Sequence, residues 1–116
     1  MNYVNNLFIT TVVLALSGCA NTNKELYSWG TYEPQVYSYF KGESPEKQID
    51  VLEKHLAEVK ADGETPPPGF YAHLGLLYSK VGRESEMKTM FDMEKNLFPE
   101  SAVFIDNINN GFKVAK

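Results

Sequence analysis

Phe70-Tyr71-Ala72-His73-Leu74-Gly75-Leu76-Leu77-Tyr78 is the stretch that decides the fold. Gly75 sits in the middle of an otherwise apolar helical run, where it removes the side chain that would hold a neighbouring helix away. Gly82 then permits a tight turn. Met87, Phe91 and Leu97 follow in a second helical stretch, and Pro99 ends it because proline cannot continue the hydrogen-bond ladder. The spacing predicts a close-packed pair of helices.

This pair resembles one tetratricopeptide repeat, a helix pair of about 34 residues with an aromatic, a Leu-Gly dipeptide and a Tyr on its first helix, an aromatic on its second and a closing proline. Tyr71, Leu74, Gly75, Tyr78, Gly82, Phe91 and Pro99 fall at matching positions. Met87 and Glu94 stand where the repeat usually has a small alanine, which predicts looser or re-angled packing there. Upstream, Pro34 to Phe40 and Pro45 to Lys60 read as a degenerate helix pair lacking most of the motif. Downstream, Ala102, Phe104, Ile105 and Ile108 predict a short capping helix that ends near Asn109-Asn110-Gly111. The expected fold is all-α: tetratricopeptide-like hairpins with a C-terminal capping helix, after a cleaved signal peptide.

The helix over Pro45 to Lys60 has the clearest boundaries. Ser44 can cap it, Pro45 suits its first position, Glu46 complements its dipole and Gly63 lies just past its end. Ile49, Leu52, Leu56 and Val59 share one face, which packs inward. The other side carries Glu43-Lys47, Asp50-Lys54 and Lys54-Glu58 at i,i+4 spacing and reads as solvated. His55, beside the apolar stripe, reads as a core or rim histidine. Pro66-Pro67-Pro68-Gly69 is a stiff connector of fixed length. The earlier stretch is dense in rings: Tyr27, Trp29, Tyr32, Tyr37, Tyr39 and Phe40. These rings either supply the small core or form a partner-binding face.

The N-terminus is an address. Leu7 to Leu16 is almost wholly apolar but about half the length that crosses a bilayer, so it fits the apolar region of a signal peptide. Leu16-Ser17-Gly18-Cys19 resembles the lipobox of bacterial lipoproteins, which implies cleavage between Gly18 and Cys19 and a diacylglyceryl group on the Cys19 thiol. Two acyl chains suffice for stable anchoring where one is marginal. The family pattern further implies sorting to the outer membrane when the following residue, here Ala20, is not Asp. The uncharged segment Met1 to Asn6 departs from the usual basic start. The chain divides into a signal peptide (1–18), a lipidated tether (19–26) and a small helical domain (27–116).

Eleven basic and fifteen acidic residues give a net charge of −4, all of it after the signal region. That balance offers no footprint for nucleic acid and no polybasic patch for anionic lipid. With Cys19 acylated, no thiol is left for a disulfide. No metal-spaced His or Cys set, phosphate loop or nucleophile with its base is present, and no cofactor or small-molecule substrate is indicated. His73 reads as a packed or capping residue rather than a general base. Glu84, Glu86, Asp92 and Glu94 read as the solvated face of the second hairpin helix.

Leu26-Tyr27-Ser28-Trp29-Gly30, Tyr37 to Gly42, Pro45 to Ile49, Pro67-Pro68-Gly69, Ala72 to Tyr78 and Leu97-Phe98-Pro99-Glu100-Ser101 together resemble a family of small bacterial lipoproteins of unknown function. The resemblance implies a periplasm-facing lipoprotein associated with other envelope lipoproteins, including an outer-membrane protein of the curli-export type, and brings no catalytic residues. The expected role is a non-catalytic adaptor or assembly component at the inner leaflet of the outer membrane. The alternatives are a structural or cell-wall-associated lipoprotein and, behind it, a cell-wall hydrolase. By analogy with the repeat, Ala72, Leu76, Ser79 and Lys80 form the stripe that faces a partner. Leu76 is then covered either by Tyr27 to Tyr32 or by that partner.

Overall fold

The computed structural model describes residues 25–114, so the expectations for the signal peptide, Gly18 and Cys19 lie outside the described residues. The described chain is all-α, with five helices and no strand. Helix α1 spans Tyr32–Phe40, α2 Pro45–Ala61, α3 Phe70–Lys80, α4 Glu84–Leu97 and α5 Ala102–Val114, with a 3₁₀ turn at Pro99–Ser101 before α5.

The α1 helix begins two residues before the expected Pro34. Pro34 is its third residue, still within the first turn, where a missing N–H leaves no ladder bond unmade. None of its residues is fully buried. The next helix, α2, starts where its sequence signals place it: Ser44 Oγ accepts the Lys47 N–H at 3.4 Å and donates to Glu46 Oε2 at 2.8 Å. Gly63, at φ +66°, follows its last turn. Ile49, Leu52, Leu56 and Val59 are all buried, whereas Glu43, Lys47, Asp50, Lys54 and Glu58 are exposed, so the inward stripe and solvated face separate as expected.

The α3 and α4 helices form the centre of the domain, and Gly75 explains how. A Cβ built on Gly75 would lie 2.6 Å from Phe91 Cε1 and 3.3 Å from the Met87 carbonyl oxygen, so the two helices meet closer than any other residue allows. Met87 is buried within the main core, its unbranched side chain filling space that an alanine would leave.

The closing helix, α5, runs past the expected stop at Asn109-Asn110-Gly111 to Val114. Gly111 ends a helix only by taking a left-handed conformation, which it does not adopt here. Ile105 is buried and Ile108 and Phe112 pack against the core, a spacing of three and four that holds one helix face inward beyond Gly111.

Candidate functional site

The N-terminus of α3 is the most tightly organised polar feature of the described residues. Its N-cap residue, Gly69, has φ +91° and no side chain with which to cap the helix. Glu94, from the last turns of α4, supplies the missing acceptors. Its Oε1 accepts the Gly69 N–H at 2.7 Å, and its Oε2 accepts the Ala72 N–H at 3.3 Å. Those are the N-cap and third-position donors, the two that a capping box normally satisfies with two different side chains. One carboxylate from another helix does both. Ser101 Oγ, in the 3₁₀ turn, adds a third bond to Oε1 at 3.2 Å.

The placement of Glu94 corrects the sequence expectation. Glu84 and Asp92 are exposed and Glu86 is half-buried, but Glu94 is completely buried among the hydrogen-bond donors of α3. A carboxylate without a cation is held in the interior here by backbone N–H groups and by the positive end of a helix dipole. Its charge is felt nearby. Burial, followed by the Glu94 carboxylate, raises the pKa of the Tyr32 and Tyr71 hydroxyls above the ordinary phenol value. Two signs in the sequence pointed to the cap: a glutamate where the repeat takes alanine, and a helix start with no capping side chain.

The face of α3 that carries the predicted stripe is covered in part. Tyr32 and Tyr39 of α1 meet the His73 ring edge-on at centroid distances of 5.9 and 5.2 Å, and Lys80 Nζ lies 4.1 Å above the Tyr39 ring. The α1 helix therefore meets α3 at His73 and at Lys80. Ala72 is only 4 % exposed and does not reach the surface, which narrows the stripe to half-buried Leu76 and Ser79 and exposed Lys80. Ser79 Oγ donates to the Leu76 carbonyl at 2.7 Å.

His73 is buried, and its Nε2 has no hydrogen-bond partner. Burial, then the Lys80 charge, lowers its pKa to about 4. The imidazole is thus neutral at neutral pH, walled in by two tyrosine rings. His55 is also buried, as a rim residue beneath the N-terminal segment: its ring packs 5.9 Å from Phe70, and its Nε2 lies 3.4 Å from the Ser28 carbonyl. Ser28 in turn donates its N–H to the Thr65 carbonyl at 2.8 Å, which pins this segment against the proline connector.

A second polar cluster joins α2 to the hairpin turn. The Tyr78 hydroxyl donates to Glu53 Oε1, Arg83 stacks over the Tyr78 ring at 4.5 Å, and Arg83 Nε donates to Glu86 Oε1 at 2.9 Å. Burial and the bond to Glu53 raise the Tyr78 pKa. The cluster ties α2, α3 and the hairpin turn together. Among the described residues no set of three His, Cys, Asp or Glu side chains is placed to hold a metal ion.

The aromatic-rich segment is split between the core and the solvent-facing surface. Tyr27 packs edge-on against Phe98 at 5.9 Å, and Tyr32 and Tyr39 lie against the core. Trp29, Tyr37 and Phe40 point to solvent, with exposures of 42, 63 and 81 %.

A family model described as a domain of unknown function matches residues 26–108, from the aromatic-rich segment to within the last helix. Neither a curated protein nor a solved structure matches the chain.

Proposed function

The chain belongs to the DUF4810 family, a domain of unknown function, and we propose that it is a membrane-anchored, periplasm-facing lipoprotein acting as a non-catalytic adaptor for other envelope proteins. Cys19, given a diacylglyceryl group on its thiol and then freed by cleavage after Gly18, holds the domain at the membrane. The outer-membrane inner leaflet is the expected site, and another envelope lipoprotein or an outer-membrane protein is the expected partner. Leu76, Ser79 and Lys80 form the candidate docking stripe on the hairpin.

The observation that carries this reading is the use made of the buried acid. Glu94 has three hydrogen bonds to groups that position α3, α4 and the 3₁₀ turn, so its oxygens serve architecture. His73, the other residue to which chemistry could be assigned, has Nε2 buried under α1. A helical scaffold with a lipid anchor is best suited to holding a surface in place.

Photo-crosslinking from position 76 of the lipidated protein in intact cells tests the docking stripe. Capture of a discrete envelope protein supports the adaptor role, whereas no capture together with retention on isolated peptidoglycan favours the cell-wall-associated reading. Fractionation of Cys19→Ala tests the anchor separately. A variant still found with the outer membrane at wild-type yield would sink that part of the proposal.

A further inference from the structure

Four of the large apolar side chains exposed to solvent in the described chain lie within one fifteen-residue stretch: Leu26, Trp29, Tyr37 and Phe40, exposed by 78, 42, 63 and 81 %. Tyr37 is five residues after Tyr32 on α1 and so on the far side of the helix from it, while Phe40, at the end of α1, meets the Tyr39 ring edge-on at 5.7 Å and leaves most of its own ring in solvent. A cation accompanies these rings: Lys41 Nζ lies 4.5 Å over the Tyr37 ring. Tryptophan, tyrosine and lysine with an apolar neighbour is the residue set that suits the headgroup level of a bilayer, where ring bodies meet acyl chains and ammonium groups meet phosphates.

Chain length limits where this edge can go. Leu26 is seven residues after Cys19, and seven residues extend no further than about 25 Å. If Cys19 is acylated, the tether keeps Leu26 within that distance of the lipid surface. Among the described residues no helix is long and apolar enough to cross a membrane, so any contact with lipid is made from the side, at the interface.

We infer that the outer edge of α1, with Tyr37, Phe40 and Lys41, together with Leu26 and Trp29 before it, is a membrane-interface seat that lays the anchored domain against the lipid headgroups in one orientation. The inference rests on the Cys19 anchor proposed above and adds a second, weaker contact to it. Net charge −4 opposes general attraction to anionic lipid, so the seat depends on ring insertion with local help from Lys41.

Trp29 is the single tryptophan of the chain, so its fluorescence reads the seat directly. Full-length lipidated protein is reconstituted in phosphatidylethanolamine/phosphatidylglycerol vesicles with or without lipids brominated near the headgroup end of the acyl chains. Flotation reads the anchor, and bromolipid quenching of Trp29 reads the seat. The expected result is that wild type floats and is quenched, while a Tyr37→Ser/Phe40→Ser variant floats equally and loses most of the quenching. Both substitutions are at exposed positions, and unchanged far-ultraviolet circular dichroism verifies the fold. Wild type that floats with Trp29 unquenched overturns the seat and leaves the anchor standing. Wild type that fails to float overturns the anchor, and the seat with it. Shielding of Trp29 from aqueous quencher that disappears when protein is diluted over more vesicles overturns the lipid contact in favour of a contact between copies.

Discussion

Glu94 Oε1 accepts the Gly69 N–H at 2.7 Å across 25 residues of sequence, and the same carboxylate reaches the Ala72 N–H. A helix whose own N-cap residue has no side chain is therefore completed by its neighbour, so that α3 is correctly started only when α4 is docked. Local and tertiary structure are coupled at this point.

Glu94→Ala restores the residue that the repeat usually has, yet is expected to destabilise the domain by about 2–4 kcal/mol, because two helix N–H donors and the Ser101 hydroxyl lose a buried acceptor. Glu94→Gln keeps one carbonyl acceptor but loses the charge at the helix N-terminus, and is expected to cost about 1–2 kcal/mol. Urea unfolding followed by circular dichroism measures both. An alanine variant as stable as wild type would remove the cap from the account of the fold.

Gly75→Ala improves helix propensity by about 1 kcal/mol, but the added methyl would overlap the buried Phe91 ring at 2.6 Å. Overpacking of this kind costs roughly 1–3 kcal/mol, so net destabilisation is expected. Phe91→Leu in the same chain should recover part of the loss. A double-mutant cycle measures that coupling, and strictly additive effects would show that the helices separate by another route.

Gly30 has φ +39°, and a Cβ there would fall 2.0 Å from His55 Cε1. Gly30→Ala is expected to lift the segment before α1 from α2 and break the Ser28 N–H bond to the Thr65 carbonyl, with a global cost of about 1–2 kcal/mol. Amide exchange at Ser28 should accelerate. Adding His55→Ala removes the ring overlap but leaves the backbone strain, so protection should return only in part.

The sequence made the hairpin legible because Gly75, Gly82 and Pro99 act locally, each through its own backbone. Ser44, Pro45 and Gly63 did the same for α2. Glu94 was legible only as an oddity. Its type and spacing match a solvated acid, and what buries it is a donor pair 22 and 25 residues away that no window of periodicity spans. The extent of α5 was misjudged for a related reason: the Gly111 stop signal is local, whereas the Ile105, Ile108 and Phe112 contacts that override it are tertiary. The split of the aromatic segment could not be read either, since a ring's sequence neighbours do not say which side of α1 meets His73.

His73 connects these features to pH. Its pKa is lowered to about 4 by burial and by Lys80, against an unfolded value near 6.5. The folded state therefore resists protonation that the unfolded chain accepts. The stability from keeping the ring neutral is complete above about pH 6.5 and is lost as pH falls from there toward 4. Complete loss would amount to about 3 kcal/mol, less where the site admits water. The urea midpoint of wild type is expected to fall between pH 7 and 4.5, and His73→Gln should flatten that fall. The polar groups that face the ring are Lys80 on its own helix and Tyr32 and Tyr39 on α1. Because Tyr32 and Tyr39 are the rings that close over His73, protonation should loosen α1 first. Amide exchange in residues 35–40 should rise before exchange in α3 as pH falls. Exchange that rises in both helices together, or equal slopes for wild type and His73→Gln, would place the acid sensitivity elsewhere.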